Sequence, residues 1–212
     1  MLKPDGTARI TVNYKKLNAQ TIVPQIPIPN IEDLLNSLGG ASVFSTMDIT
    51  SGYFTSSISP DAIPLTAVVT SFGLYEWLRC PQGSAGAPGH FTRLMQTVLA
   101  GLSRVQPYID DVIVSSTSID QHLDDLKGVF ARFQTHGMKL APAKLHVGCK
   151  HVKFLGHIVG VDGIRPDPSK VQALLEMPEP SNLSQLRAWL GLANYYRRFV
   201  RGMAQLVALS PL

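Results

Sequence analysis

The 212-residue chain is 45% hydrophobic and only 16% charged, a balance that excludes a disordered polypeptide and leaves room for one large domain or two small ones. Its 19 basic and 15 acidic residues give a formal charge of +4, which permits a nucleic-acid partner without requiring one. No apolar run reaches membrane-spanning length and the start lacks the apolar core of a secretory signal. Cys80 and Cys149 stand in no metal-ligand or redox motif, so an intracellular, cytoplasmic setting with no membrane partner is expected.

In chain order, Asp5-Gly6 forms a turn before "ARITVNY", which has the composition of a strand. "IVPQIPIPN" is too rich in proline for a central strand and reads as an extended crossing segment. Asn30 caps a short helix with Ile31, Leu34, Leu35 and Leu38 on one face and Gly39-Gly40 as its stop. "SVFSTMDI" follows as a buried strand, and "YFTSSIS" and "AVVTSFGLYEWL" continue with β character. From Pro88 the spacing of Phe91, Leu94, Met95, Val98, Leu99 and Leu102 predicts an amphipathic helix.

"VQPYIDDVIVSS" then reads as strand, tight turn, strand. Ser118 and Gln121 form a capping-box pair for a helix that buries Leu123, Leu126, Phe130 and Phe133 and ends at Gly137. "KFLGHIV", the turn "VDG" and "IRP" read as a β-hairpin. The last fifty residues are helical, one helix starting at Asp167 or Pro168 and another at Ser181 or Asn182. Strands and helices mixed in this way predict an α+β fold with helices on one face of an antiparallel sheet. The shift to helical composition near Arg165 marks a subdomain boundary.

Successive strand residues point to opposite faces, so Asp110 and Asp111 cannot both sit comfortably on a half-buried sheet. Asp48, at the end of another apolar strand, stands in a similar setting. Taken singly, a strand-end aspartate is a cap or turn former and a pair of aspartates is a hairpin bend. Brought together, the three would repel and not all stay ionised. A divalent cation removes that problem, because Mg²⁺ takes one or two carboxylates together with substrate phosphates.

Five motifs in collinear order carry a family resemblance. "YIDD" is similar to the YxDD box of reverse transcriptases, "MDITSGYF" resembles their first catalytic-aspartate motif, and "CPQGSAGAPGHF" resembles the loop and helix between them. "FLGHIV" with "DGIRPDPSKVQAL", and then "LRAWLGLANYYRRFV", resemble the Pol polyproteins of gypsy-type LTR retrotransposons. The resemblance runs from about Lys3 to the C-terminus. It implies a right-hand polymerase fold, with 1–22 and 56–86 as partial fingers, 23–55 and 87–164 as the palm, and 165–212 as the start of a helical thumb.

The implied activity is RNA-directed DNA polymerisation, with dNTPs added to a primer 3′-hydroxyl on an RNA or DNA template. Asp48, Asp110 and Asp111 would be the catalytic and metal-binding carboxylates, holding two Mg²⁺ ions for which Mn²⁺ can substitute. The resemblance implies nucleotide-binding roles for Lys3, Arg9, Tyr53, Gln82 and Gly83, with Tyr53 as the aromatic gate against a ribose 2′-hydroxyl. Phe154, Leu155 and Gly156 would form the primer grip. Arg197, Arg198 and Arg201 would meet backbone phosphates, and Tyr195 and Tyr196 would stack or fill core.

The expected setting of an intact element is a virus-like particle, with protease, RNase H and integrase as the other Pol segments. Departures from the family pattern stand at Asn13, Lys15, Thr55, Leu65, Val68, Ser84 and Gly86. Several of them touch supports of the nucleotide pocket, and none touches the carboxylates. Against the family pattern the chain is expected to be a truncated piece, lacking the N-terminal fingers strands and the connection and RNase H segments. The alternative, from another class, is a catalytically inactive remnant that at most binds nucleic acid.

Overall fold

The computed structural model describes residues 11–203 and 205. Lys3, Arg9 and the Asp5-Gly6 turn lie outside the described residues.

Where a strand is expected, residues 11–14 run without regular structure into a short helix, α1 (Lys15–Gln20). The Asn13 side chain accepts from the Lys15 N–H at 3.1 Å, a local bond that starts a helical turn and competes with strand pairing. Tyr14 is buried, and its hydroxyl donates to the Thr66 carbonyl at 3.0 Å. The next helix, α2 (Ile31–Ser37), is capped as predicted, the Asn30 side chain accepting from the Glu32 N–H at 2.8 Å.

The central sheet contains β1 (Val43–Asp48), β4 (Val105–Tyr108), β5 (Asp111–Ser116) and β6 (His146–Cys149), all antiparallel, in the order β4-β5-β1-β6. A small hairpin, β2 (Val68–Thr70) with β3 (Gly73–Tyr75), stands apart from it. "YFTSSIS" does not form a strand. Gly52–Thr55 is a 3-10 turn, with the Thr55 hydroxyl donating to the Gly52 carbonyl at 2.6 Å and the Ser56 N–H to the Tyr53 carbonyl at 3.2 Å. A run of hydroxyl residues has spent its backbone locally.

Alternation along β1 and β5 sends side chains to two different cores. Met47, Val112 and Val114 face α3 (Ala87–Val98) and α4 (Ile119–Thr135), packing with Phe91, Met95, Leu126, Val129 and Phe133. Phe44 and Ile113 face the other way, against Leu34, Leu35 and Leu38 and against Val152, Phe154 and Val159. The sheet is thus covered on both faces, by helices on one and by α2 with a β-meander on the other.

That meander is β7 (His151–Phe154), β8 (His157–Gly160) and β9 (Gly163–Pro166). "KFLGHIV" is therefore two strands, not one, because Leu155 (φ 45°) and Gly156 (φ 70°) take the left-handed conformation and turn the chain between them. On α4 the buried face is His122, Leu126, Val129 and Phe133. Leu123 and Phe130, expected to be buried, are exposed, because His122 and Val129 take the inward positions one residue earlier. The C-terminal helices start where the sequence places them. α5 (Pro168–Leu175) follows the Asp167 cap and α6 (Leu183–Tyr195) follows Asn182.

Candidate active site at the carboxylate end of the sheet

Asp48 ends β1 and Asp111 begins β5, and the pairing register sets them directly opposite each other. Asp48 is four residues beyond Phe44 and Asp111 two before Ile113, so period-two geometry puts both carboxylates on the face away from α3 and α4. Asp110 belongs to the turn. Ile109 before it has a φ of 53°, and the Asp110 carbonyl accepts from the Ile49 N–H at 3.3 Å. With this left-handed residue just ahead of them the two aspartates differ: Asp111 starts a strand while Asp110 sits in the bend, tied by backbone to the residue after Asp48.

Like charges directly opposite on neighbouring strands are destabilising. Lys144 answers them, its Nζ lying 2.7 Å from Asp48 Oδ2. Loss of solvent and then the nearby Asp48 charge push the Asp111 carboxyl above the usual carboxylate range, and Lys144 opposes them. The Lys144 ammonium is held above its ordinary value, chiefly by the bond to Asp48. A cleft of about 220 Å³ joins Asp48, Asp111 and Lys144 to Lys153, Phe154 and Leu155. The carboxylates thus open onto the turn assigned by resemblance to the primer grip.

Tyr53 approaches from the 3-10 turn. Its ring meets Phe91 edge-on, with centroids 5.5 Å apart, and burial followed by the Asp110 charge raises its phenol. Gly83 has a φ of 100°, and a Cβ there would lie 2.9 Å from the Val12 carbonyl oxygen. Asn18 holds this loop from both sides, its amide donating to the Gly83 carbonyl and its oxygen accepting from the Ala85 N–H, each at 2.9 Å. Gln82, beside Gly83, is half-buried.

Phe154 is buried, and the Leu155-Gly156 turn is held by the C-terminal helix. Tyr195 Oη donates to the Leu155 carbonyl at 2.7 Å and Tyr196 Oη to the Gly156 carbonyl at 3.1 Å. His157, also buried, lies tilted against both tyrosine rings and donates from Nδ1 to the Leu155 carbonyl at 2.7 Å. Arg197 pairs with Glu32 at 3.3 Å and Arg198 bonds Asn36 at 3.2 Å, so both arginines reach back to α2, while Arg201 is exposed.

Sequence reasoning did not single out Lys144 or Asn18, and it left the tyrosines between stacking and core. Nothing in the local sequence marks Lys144, whose partner is 96 positions away. Among the described residues no three His, Cys, Asp or Glu side chains form a ready-made cage. Asp48 and Asp111 nevertheless suit Mg²⁺, which binds through one or two carboxylates and completes its shell with water and phosphate. The ammonium already on Asp48 shows that the position accepts a cation.

The family profile described as reverse transcriptase (RNA-dependent DNA polymerase) matches residues 1–159. The Retrovirus-related Pol polyprotein from transposon 297 of Drosophila melanogaster is 38% identical over 210 residues, covering 96% of this chain and 20% of that protein. The Pol polyprotein from transposon gypsy of the same organism is 34% identical over 198 residues, covering 92% and 19%. The chain therefore spans about a fifth of the length of these relatives.

Among solved structures, the foamy viral protease–reverse transcriptase with double-stranded DNA superposes with a TM-score of 0.92 at 25% identity, over 98% of this chain and 37% of that one. The same kind of protein with an RNA/DNA hybrid gives 0.80 at 22% identity, over 99% and 29%, a likeness of fold. With helices and antiparallel sheets arranged as in part of a polymerase fold, the chain belongs to the reverse transcriptase (RNA-dependent DNA polymerase) family.

Proposed function

We propose that this chain carries the catalytic centre of an RNA-directed DNA polymerase that extends a primer 3′-hydroxyl with dNTPs, in the replication of a gypsy-type LTR retrotransposon. The observation that carries the reading is the opposition of Asp48 and Asp111 at the sheet end, with Asp110 in the adjoining turn beside Tyr53. On this reading the central sheet with its helices is the palm. The β2–β3 hairpin and the Gly83 loop belong to the fingers, and α5 and α6 begin the thumb.

Asp48, Asp110 and Asp111 would hold two Mg²⁺ ions, or Mn²⁺ in their place, which when bound activate the hydroxyl and neutralise the triphosphate. The chain's own part is to position. Tyr53, braced edge-on by Phe91, walls the nucleotide sugar and disfavours a 2′-hydroxyl. Gly83 lets backbone approach the nucleotide, and Asn18 fixes the loop that carries it. The Leu155-Gly156 turn, held by two tyrosine hydroxyls, places the primer end over the same cleft. Lys3 and Arg9 would contact the triphosphate, and Arg201 a backbone phosphate.

The partners on this reading are a primed RNA or DNA template, dNTPs and the other Pol segments. The setting is a cytoplasmic virus-like particle. The test is primer extension on an RNA template with Mg²⁺, comparing the protein with its Asp110→Asn variant. Extension should fall about a hundredfold or more in the variant, as when a preorganised electrostatic contact to a transition state is lost. Equal extension by the two proteins, or none by either, would leave a silent remnant that at most binds nucleic acid.

A further inference from the structure

Lys144 is delivered to Asp48 by the backbone. Leu140 bridges to Ile49, the Ala141 N–H donates to the Asp48 carbonyl at 3.0 Å, and the 3-10 turn Pro142–Lys144 follows at once. The lysine is thus stitched to the end of β1 three residues before its ammonium reaches the carboxylate. Its side chain is 66% exposed and that of Asp48 only 25%, so the ammonium caps a partly enclosed carboxylate from the solvent side. Asp111 faces the same cleft from the opposite strand.

Two opposed carboxylates need a cation between them or beside them. We propose that Lys144 is the resident cation of this site, steadying Asp48 beside Asp111 until a divalent ion displaces it, so that metal entry is an exchange and not an addition. The inference rests on reading Asp48 and Asp111 as metal-holding carboxylates. Exchange weakens metal binding by the strength of the pair it breaks, roughly two- to fivefold for an ion pair this open to water.

The cleft supplies its own control. Lys153 lines the same cleft with the same charge, but its ammonium is engaged by Asp167 at 3.0 Å. Removing Lys153 lowers the local positive field without freeing Asp48; removing Lys144 does both. The experiment titrates Mn²⁺ alone, free ion read by electron paramagnetic resonance, into the wild-type protein and the Lys144→Met, Lys153→Met and Asp48→Asn variants.

Asp48→Asn should abolish the wild-type site. Lys144→Met should bind Mn²⁺ about two- to fivefold more tightly than wild type, with Lys153→Met changing by clearly less. Lys144→Met no tighter than wild type, or matched by Lys153→Met, overturns the exchange while leaving the carboxylate site standing. Binding that Asp48→Asn does not remove, or no binding in wild type and Lys144→Met alike, overturns the metal reading of the carboxylates and the exchange with it. The exposed Lys144 stem contributes to neither core, so its replacement leaves the fold that presents Asp48 intact.

Discussion

Asp110 and Asp111 differ by one position and by almost everything else. One lies in a left-handed bend near Tyr53, the other opens a strand across from Asp48. The sequence makes the conflict between neighbouring carboxylates visible, and alternation requires that a turn resolve it. It does not say which aspartate takes the turn, because that depends on Ile109 accepting a positive φ.

Gly52 shows the same limit. It belongs to a motif legible by resemblance, yet its reason is packing: a Cβ there would lie 2.6 Å from Cζ of Phe91, a ring with no exposed surface. The same ring supports Tyr53. Gly52→Ala should therefore cost about 1–3 kcal/mol by overpacking, seen as a lower urea midpoint at unchanged slope. An unchanged midpoint would mean that Phe91 yields without loss and that this glycine serves another purpose.

Elements are joined by contacts that their own sequences hide. His122, in the first turn of α4, has no apolar character to mark it for the core, yet it is fully buried between Ser45 on β1 and Ser116 on β5. The proton positions follow from the partners. Ser116 Oγ donates to Asp125 at 2.7 Å, so it accepts from His122 Nδ1 at 2.8 Å. His122 Nε2 is then an acceptor for the Ser45 hydroxyl at 2.6 Å, and Ser45 Oγ accepts from the Gly148 N–H at 3.0 Å. Every position is filled by a neutral imidazole, which ties α4, β1 and β5 to the β6 edge.

Burial holds this histidine below its ordinary value, against the pull of Asp125. Burial likewise lowers His157. An unfolded imidazole takes up a proton near pH 6.5, which the folded one does only at lower pH, so the stability these groups confer is complete above about pH 6.5. It is lost as pH falls through the depressed folded values, at about 1.4 kcal/mol per pH unit for each proton withheld by the folded state. Thermal unfolding followed from neutral to mildly acidic pH should show this decline, and His122→Gln should flatten it. A variant slope equal to that of the wild type would place the titration elsewhere.

At the scale of the whole molecule, the mixture of strands and helices was enough to read the α+β class, and the apolar runs were enough to locate β1 and β5. The order of the sheet was not legible. β6 contains His146, Gly148 and Cys149, too little β-branched character to announce a strand, and it is recruited by pairing with β1 alone. Coverage of the second face was equally hidden, since it needs α2 and the meander to meet across more than a hundred positions.

This architecture grades stability from the centre outward. Val112, Ile113 and Val114 are fully buried in a strand flanked by β1 and β4, between two apolar clusters. The β2–β3 hairpin has three residues a side and leaves Val69, Phe72, Leu74 and Tyr75 open to water. Two-stranded hairpins are marginal alone. Amide exchange should therefore be slowest in β5 and β1, opening only with global unfolding at about 5–15 kcal/mol, and fast in β2–β3, which opens locally at small cost. Mass-spectrometric exchange on peptides covering 43–48, 68–75 and 111–116 reads this directly. Equal protection in all three would mean that the hairpin is fastened to the core by contacts stronger than its exposed side chains make. The graded result would put the carboxylates on the most rigid part of the chain, and the hairpin assigned to the fingers on the part that opens most easily.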